Sequence, residues 1–185
     1  MNKARKVIGS KSLFFLEAAA VSVPAAGTGS IAGPASASNK PDVTDPLYID
    51  IGPVKWNSAQ SGKTEKYMSP AGGGAYVVED EIPLSRGKTL KGKLEKMTNL
   101  FVALRDSATI PSSGVGGVYN PLSAAPNVRG WLHIEERDQN NVLINTVEMW
   151  VSLRASGDTN MDDKASETPV EAEVLYSTLN VGNLT

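Results

Sequence analysis

Between Val128 and Arg154 apolar side chains recur at every second position, and this pattern restricts the fold more than any other feature of the chain. Val128, Gly130, Leu132 and Ile134 fall on one side of an extended segment. Val147, Met149, Val151 and Leu153 fall on one side of the next. A period of two is that of a half-buried strand, because successive Cβ atoms point to opposite faces. Asp138-Gln139-Asn140-Asn141 between the two runs is a turn cluster. The segments 128–136 and 142–154 therefore read as a long antiparallel hairpin. Its other face carries Trp131 and His133 on one strand and Glu148, Trp150, Ser152 and Arg154 on the other. Two readings of Trp131 and Trp150 are open. They form an exposed contact surface, since aromatics bury large areas at low entropic cost, or they line a second buried face of a sandwich.

Further strands are predicted around this hairpin. Leu13 to Glu17 is a short one. Leu47 to Ile51 is another, closed by Gly52-Pro53, with Val54-Lys55-Trp56 continuing it. Residues 75–82 and 88–96 follow. In the latter Leu90, Gly92 and Leu94 oppose Lys91, Lys93 and Glu95. The last strand spans 169–176, with Val170, Ala172, Val174 and Tyr176 inward and Glu171 and Glu173 outward. Thr98 has the character of a helix N-cap, its hydroxyl able to accept from a free N–H of the first turn. Leu100, Phe101 and Leu104 give a one-sided apolar stripe at helical spacing, and Met97 and Val102 are placed for a hydrophobic staple. The helix is expected over 98–106, ending before Ile110-Pro111. Two turns cannot stand alone, so the helix must pack on a sheet. The element order predicts a mainly β fold, an antiparallel β-sandwich or open barrel with one short flanking helix and long arms.

Three stretches show no apolar period. Residues 23–46 are rich in Ala, Gly, Ser and Pro. Residues 57–74 are polar and end in Gly72-Gly73-Gly74, and residues 111–127 form a third loop. Segments of this kind are expected to be mobile or covered by a partner, leaving a core of roughly 120–130 residues.

Charge and composition exclude several functions. The 185 residues contain no cysteine and one histidine. A disulfide framework, a thiolate metal site and a cysteine nucleophile are therefore ruled out. The net charge is -2, which speaks against a broad basic nucleic-acid footprint. The charge is unevenly spread. Residues 1–11 hold Lys3, Arg5, Lys6 and Lys11 and no acid, so a +4 arm precedes a body of -6. No apolar run approaches the ~18 residues of a membrane-spanning helix. The basic start, followed by Ser12-Leu13-Phe14-Phe15-Leu16 and an Ala-rich stretch, has the outline of a secretory signal. Glu17 interrupts it, and an ionised carboxylate there costs roughly 2.5–3.5 kcal/mol on insertion scales. A short strand reached by a basic arm is the plainer reading.

The motif-like spots are weak. Ser61-Gly62-Lys63-Thr64 resembles the end of a phosphate-cradling loop, but Asn57 stands where the earlier glycine belongs and no helix follows. Asp158, Asn160 and Asp162 have the spacing of the first calcium-loop ligands. Asp163 and Pro169 occupy the places of the turn glycine and the bidentate glutamate, so an acidic surface turn is the expectation. His133 lies on the polar register of its strand and reads as a surface or interface side chain rather than a catalytic one. Asn183-Leu184-Thr185 matches a glycosylation acceptor and carries meaning only on a secretory route. No catalytic residue, cofactor or metal is predicted.

The layout resembles the tail tube proteins of long-tailed bacteriophages. The resemblance rests on the strand Lys11-Ser12-Leu13-Phe14-Phe15-Leu16-Glu17 with its loose arm and on Leu47-Tyr48-Ile49-Asp50-Ile51-Gly52-Pro53-Val54. It rests also on the strand-to-helix passage from Leu90 through Met97-Thr98-Asn99-Leu100-Phe101 to Leu104, and on the closing Pro169-Val170-Glu171-Ala172-Glu173-Val174-Leu175-Tyr176. The family's organisation implies an arm over 1–46 and a tube domain over 47–185. It implies rings, expected to be hexameric, that stack into a tube conducting the genome. The location would be the virion, assembled in the host cytoplasm and away from membranes. The partners would be further copies of the chain and the tape-measure, tail-terminator and baseplate proteins, with double-stranded DNA passing unbound. On this reading Phe14, Phe15, Lys63, Glu65, Lys66, Tyr67, Trp131 and Trp150 are expected at contacts within or between rings. Glu79, Asp80, Glu81 and Glu148 are expected along the channel, where acidic or mixed charge lets phosphates slide. The alternative is a secreted β-sandwich adhesin or pilus-like subunit that uses the basic start as a signal.

Overall fold

The computed structural model describes residues 7, 9–27, 30–70, 76–109, 119–159 and 167–184, apart from the side chains of residues 70, 77, 79 and 84. The fold is mainly β and antiparallel, with one short helix, and its sheet is not closed into a barrel.

The predicted hairpin is its centre. Strands β7 (Asn127–Arg137) and β8 (Leu143–Ala155) pair along their whole length, with Trp131 opposite Trp150 and His133 opposite Glu148. On one side, β7 pairs with β1 (Gly9–Leu16), which pairs with β4 (Ile49–Gly52). On the other, β8 pairs first with β10 (Val181–Leu184) and then with β9 (Thr168–Val174). β9 leads to β6 (Tyr76–Leu94), and β6 to β5 (Asn57–Pro70). The boundary expected at residue 46 does not separate two units, because β1 lies between β4 and β7.

The first core fills the face chosen by the alternation. Leu132, Ile134, Met149, Val151, Leu153, Val170 and Ala172 meet Leu90 and Leu94 from β6, and Phe14 from β1. Helix α1 (Asn99–Asp106) closes this layer with Leu100, Phe101 and Leu104. Thr98 is its N-cap, accepting from the Phe101 amide at 3.1 Å. Met97 is half exposed. Ser107 ends the helix in the left-handed region and donates its N–H to the Ala103 carbonyl. Residues 53–56 cross from β4 to β5 directly over Gly92. A Cβ there would lie 2.7 Å from Val54 Cγ1 and 3.0 Å from Trp56 Cε3, so only glycine permits the approach.

The second core lies on the opposite face of the sheet. Phe15, Trp131 and Trp150 are buried there, covered by Val21 and Ala35. The cover is the segment 18–48, which we call the strap. Expected as an arm unable to bury a core alone, it docks on its own sheet. It contains a two-residue ribbon, β2 (Ala20–Val21) with β3 (Gly33–Pro34), and bridges at Pro24–Pro41 and Ser36–Asn39. Polar groups hold what apolar periodicity does not. Asp45 Oδ2 accepts from the amides of Ser22 at 2.8 Å and Val23 at 2.9 Å, and Oδ1 from Leu47 at 3.0 Å. Asn39 accepts from the Ile31 amide at 2.7 Å and donates to the Pro34 carbonyl at 3.0 Å.

Three further expectations change. Residues 57–70, expected as a loop, form β5. The strands expected at 75–82 and 88–96 are one strand, β6, running through Pro83 and Gly87. Tyr176, expected inward, lies beyond β9 and is 86% exposed, because β9 ends at Val174.

Candidate assembly interface

β6 pairs with β9 only over Thr89–Leu94. Beyond Lys88 the ribbon of β5 and β6 is held by its own ladder alone, from Ser61 opposite Gly87 out to Pro70 opposite Tyr76. Ten paired positions spaced 3.3 Å apart carry it roughly 30 Å from its root. Two-stranded ribbons are marginal in water unless a third layer covers them. This one exposes Tyr67, Met68, Tyr76, Val78 and Ile82, each at least 42% accessible. Exposed apolar side chains gathered on a ribbon with no layer of its own are the kind of surface that a contact would cover.

The ribbon's edges are poor templates for strand addition. Bulges fall between Lys63 and Thr64 and between Tyr67 and Met68, and Pro83 lacks a donor. Contacts through its faces are favoured over contacts through its edges. Charge on the ribbon is mixed: Lys66 lies directly opposite Glu81, and Tyr67 opposite Asp80.

The residues expected at contacts separate into two groups. Lys63, Glu65, Lys66 and Tyr67 lie together on exposed β5. Phe14 and Phe15 are fully buried on opposite faces of β1, one in each core. Trp131 and Trp150 are 0% and 4% exposed, so the second buried face is the reading that holds. Their ring centroids are 5.5 Å apart. Trp131 Nε1 donates to the carbonyls of Ser36 at 2.9 Å and Asn39 at 3.2 Å, which ties the strap to the pair.

Of the residues expected along a channel, Asp80 and Glu81 are exposed on the ribbon. Glu79 is on β6 with its side chain outside the described residues. Glu148 does not face open solvent. It is ion-paired with Lys40 of the strap, and its Oε1 lies 3.2 Å from His133 Nδ1. Burial alone would raise the Glu148 carboxyl. Hydrogen bonds to His133 and Lys40 outweigh burial and hold it below the usual value of 4.5.

His133 is 4% exposed, not a surface residue. Its Nε2 lies 3.6 Å from Glu135 Oε1 and makes no hydrogen bond. Tyr48 packs edge-on against the imidazole, its buried hydroxyl also without a partner. Burial and the negative charges of Glu148, Asp42 and Asp45 push the Tyr48 hydroxyl far up, so it stays protonated. The sequence reading assigned no role to Lys40 or Asp45 and placed Tyr48 only in a strand. The signal for Lys40 was a set of charged and polar residues, Asn39-Lys40-Pro41-Asp42, inside an otherwise small-residue stretch.

Ser61-Gly62-Lys63-Thr64 lies within β5 and opens no helix, so it is not a phosphate loop. Asn160, Asp162 and Asp163 of the acidic turn, Gly72-Gly73-Gly74, Thr185 and residues 110–118 lie outside the described residues. Among the described residues no cluster of three or more His, Asp or Glu side chains could hold a metal ion, and no helix is long and apolar enough to cross a membrane. No protein-family model matches the chain, and no curated protein matches it in sequence.

Proposed function

We propose that the chain is a structural subunit that polymerises with copies of itself, as rings stacked into a phage tail tube. The observation that carries the reading is the ribbon of residues 61–70 and 76–87, which leaves the body with its apolar side chains uncovered. A contact between unlike surfaces of identical subunits gives a ring where the rotation closes and a filament where it does not. A tube uses both, and a projecting element reaches a neighbour that the body cannot. Asp80 and Glu81, with Lys66 opposite, supply the mixed charge that lets DNA pass without being held.

Sedimentation velocity across protein concentration and salt tests this. Wild-type chain is expected to sediment as a large assembly above a threshold concentration. The triple variant Tyr67→Ser, Met68→Ser, Val78→Ser is expected to remain a folded monomer at the same concentration. A wild-type chain that stays monomeric throughout the range contradicts the reading.

A further inference from the structure

The strap is anchored at two kinds of site. Toward Ala35 it lies on Phe15, Trp131 and Trp150. At residues 39–48 it is held by charge. Lys40, 8% exposed, reaches across to Glu148 on β8, and Glu148 in turn meets His133 on β7. The strap itself adds Asp42 and Asp45, which act on Tyr48. β7 adds Glu135, which is 2.7 Å from Arg137 Nη2, and β1 adds Lys11 near Glu135. β10, paired to β8 at Glu148, carries no charged residue. Glu148 is therefore the sole carboxylate within salt-bridge distance of the Lys40 ammonium among the described residues.

We propose that the strap is a releasable cover, latched by the Lys40–Glu148–His133 chain and opened by loss of the Glu148 charge. A lysine this buried is tolerable only beside its counter-ion. When Glu148 takes up a proton, the ammonium is left in a poorly hydrated place, and the way to rehydrate it is for residues 36–48 to lift. Few regular backbone hydrogen bonds oppose this, since the strap's ladder is a two-residue ribbon and two bridges. Lifting exposes the apolar pair Trp131 and Trp150. The direction with pH follows from the lowered carboxyl. The latch is intact above the usual carboxylate range and is lost as the pH falls through the depressed value of Glu148 in the folded protein.

Hydrogen exchange by mass spectrometry on the full chain reads the strap separately from the sheet. In wild type the amides of 36–48 are expected to be protected at pH 7. As the pH is lowered stepwise from 7 they should come to exchange faster than β7 and β8, before the sheet itself opens, once intrinsic rates are corrected. Glu148→Gln should release them at pH 7, by on the order of 100-fold, because one partner of a buried pair is lost. Lys40→Met with Glu148→Gln removes both charges while keeping a polar partner for His133, so the strap should remain protected at pH 7, and acid should then loosen it only through the loss of the Asp45 acceptors. The tryptophan emission of a Trp56→Phe background should move to the red whenever the strap lifts. The proposal is overturned if Glu148→Gln leaves the strap protected, if the double variant is released like the single one, or if acid opens sheet and strap together. These readouts concern the monomer, so they stand apart from any failure to polymerise.

Discussion

The strap, residues 18–48, and the ribbon that projects from β5 and β6 start from similar material. Both are built from small and polar residues without a long apolar run. They end in opposite states. The strap lies flat on Trp131 and Trp150 with Val21, Ala35, Asn39, Lys40 and Asp45 buried, although it has almost no ladder. The ribbon has a ladder along its whole length and almost nothing buried beyond Lys88. Regular backbone pairing and burial are thus separable in this molecule. Where polar side chains cap backbone groups, irregular chain can cover a core. Where none do, a regular ribbon is left to find its cover elsewhere.

Three variants would break this contrast if it is wrong, and they are ordered by expected size. Trp131→Ala removes the ring under the strap and the donor to Ser36 and Asn39. It should cost about 3–5 kcal/mol in urea unfolding, in the range of large aromatic truncations. Asp45→Ala strips acceptors from Ser22, Val23 and Leu47 and should cost about 2–3 kcal/mol by the same assay. Its effect should also depend on pH. Burial would raise the Asp45 carboxyl, but the N–H groups of Val23, Leu47 and Ser22 prevail and hold it below 3.8. The stabilisation is therefore complete above the usual carboxylate range and disappears as the pH falls through the lowered value, so wild type and variant should converge in acid. Met68→Ser with Val78→Ser, on the ribbon, should change unfolding free energy by less than about 0.5 kcal/mol, as for exposed positions generally, while reducing self-association. A large loss of stability from this last pair would mean that the ribbon is covered within the monomer.

The alternation of β7 and β8 was legible because one face packs on a continuous apolar layer, and Thr98 was legible because capping is local. The strap was not, because its order comes from contacts distant in sequence, such as Lys40 with Glu148 and Ser36 with Trp131. β5 was hidden for the opposite reason. With neither face buried, no selection for alternation acts on Ser58 to Lys66, and only the pairing with β6 makes it a strand. The sequence reading divides β6 into 75–82 and 88–96, yet the strand runs on through Pro83, since an exposed ribbon tolerates a missing donor beside a bulge. The tryptophans were placed on the correct side of the sheet, but their cover lay in a segment that showed no period. The ribbon's exposed apolar residues were half visible. Tyr67 stood out among charges, whereas Met68, Tyr76, Val78 and Ile82 gained meaning only once the ribbon was seen to leave the body.

The most direct test of the assembly claim is electron microscopy of the purified chain at concentrations above the sedimentation threshold. The account predicts rings with a central hole, stacked into tubes whose wall includes the ribbon between neighbouring subunits. Isolated single subunits at every concentration and salt would contradict it.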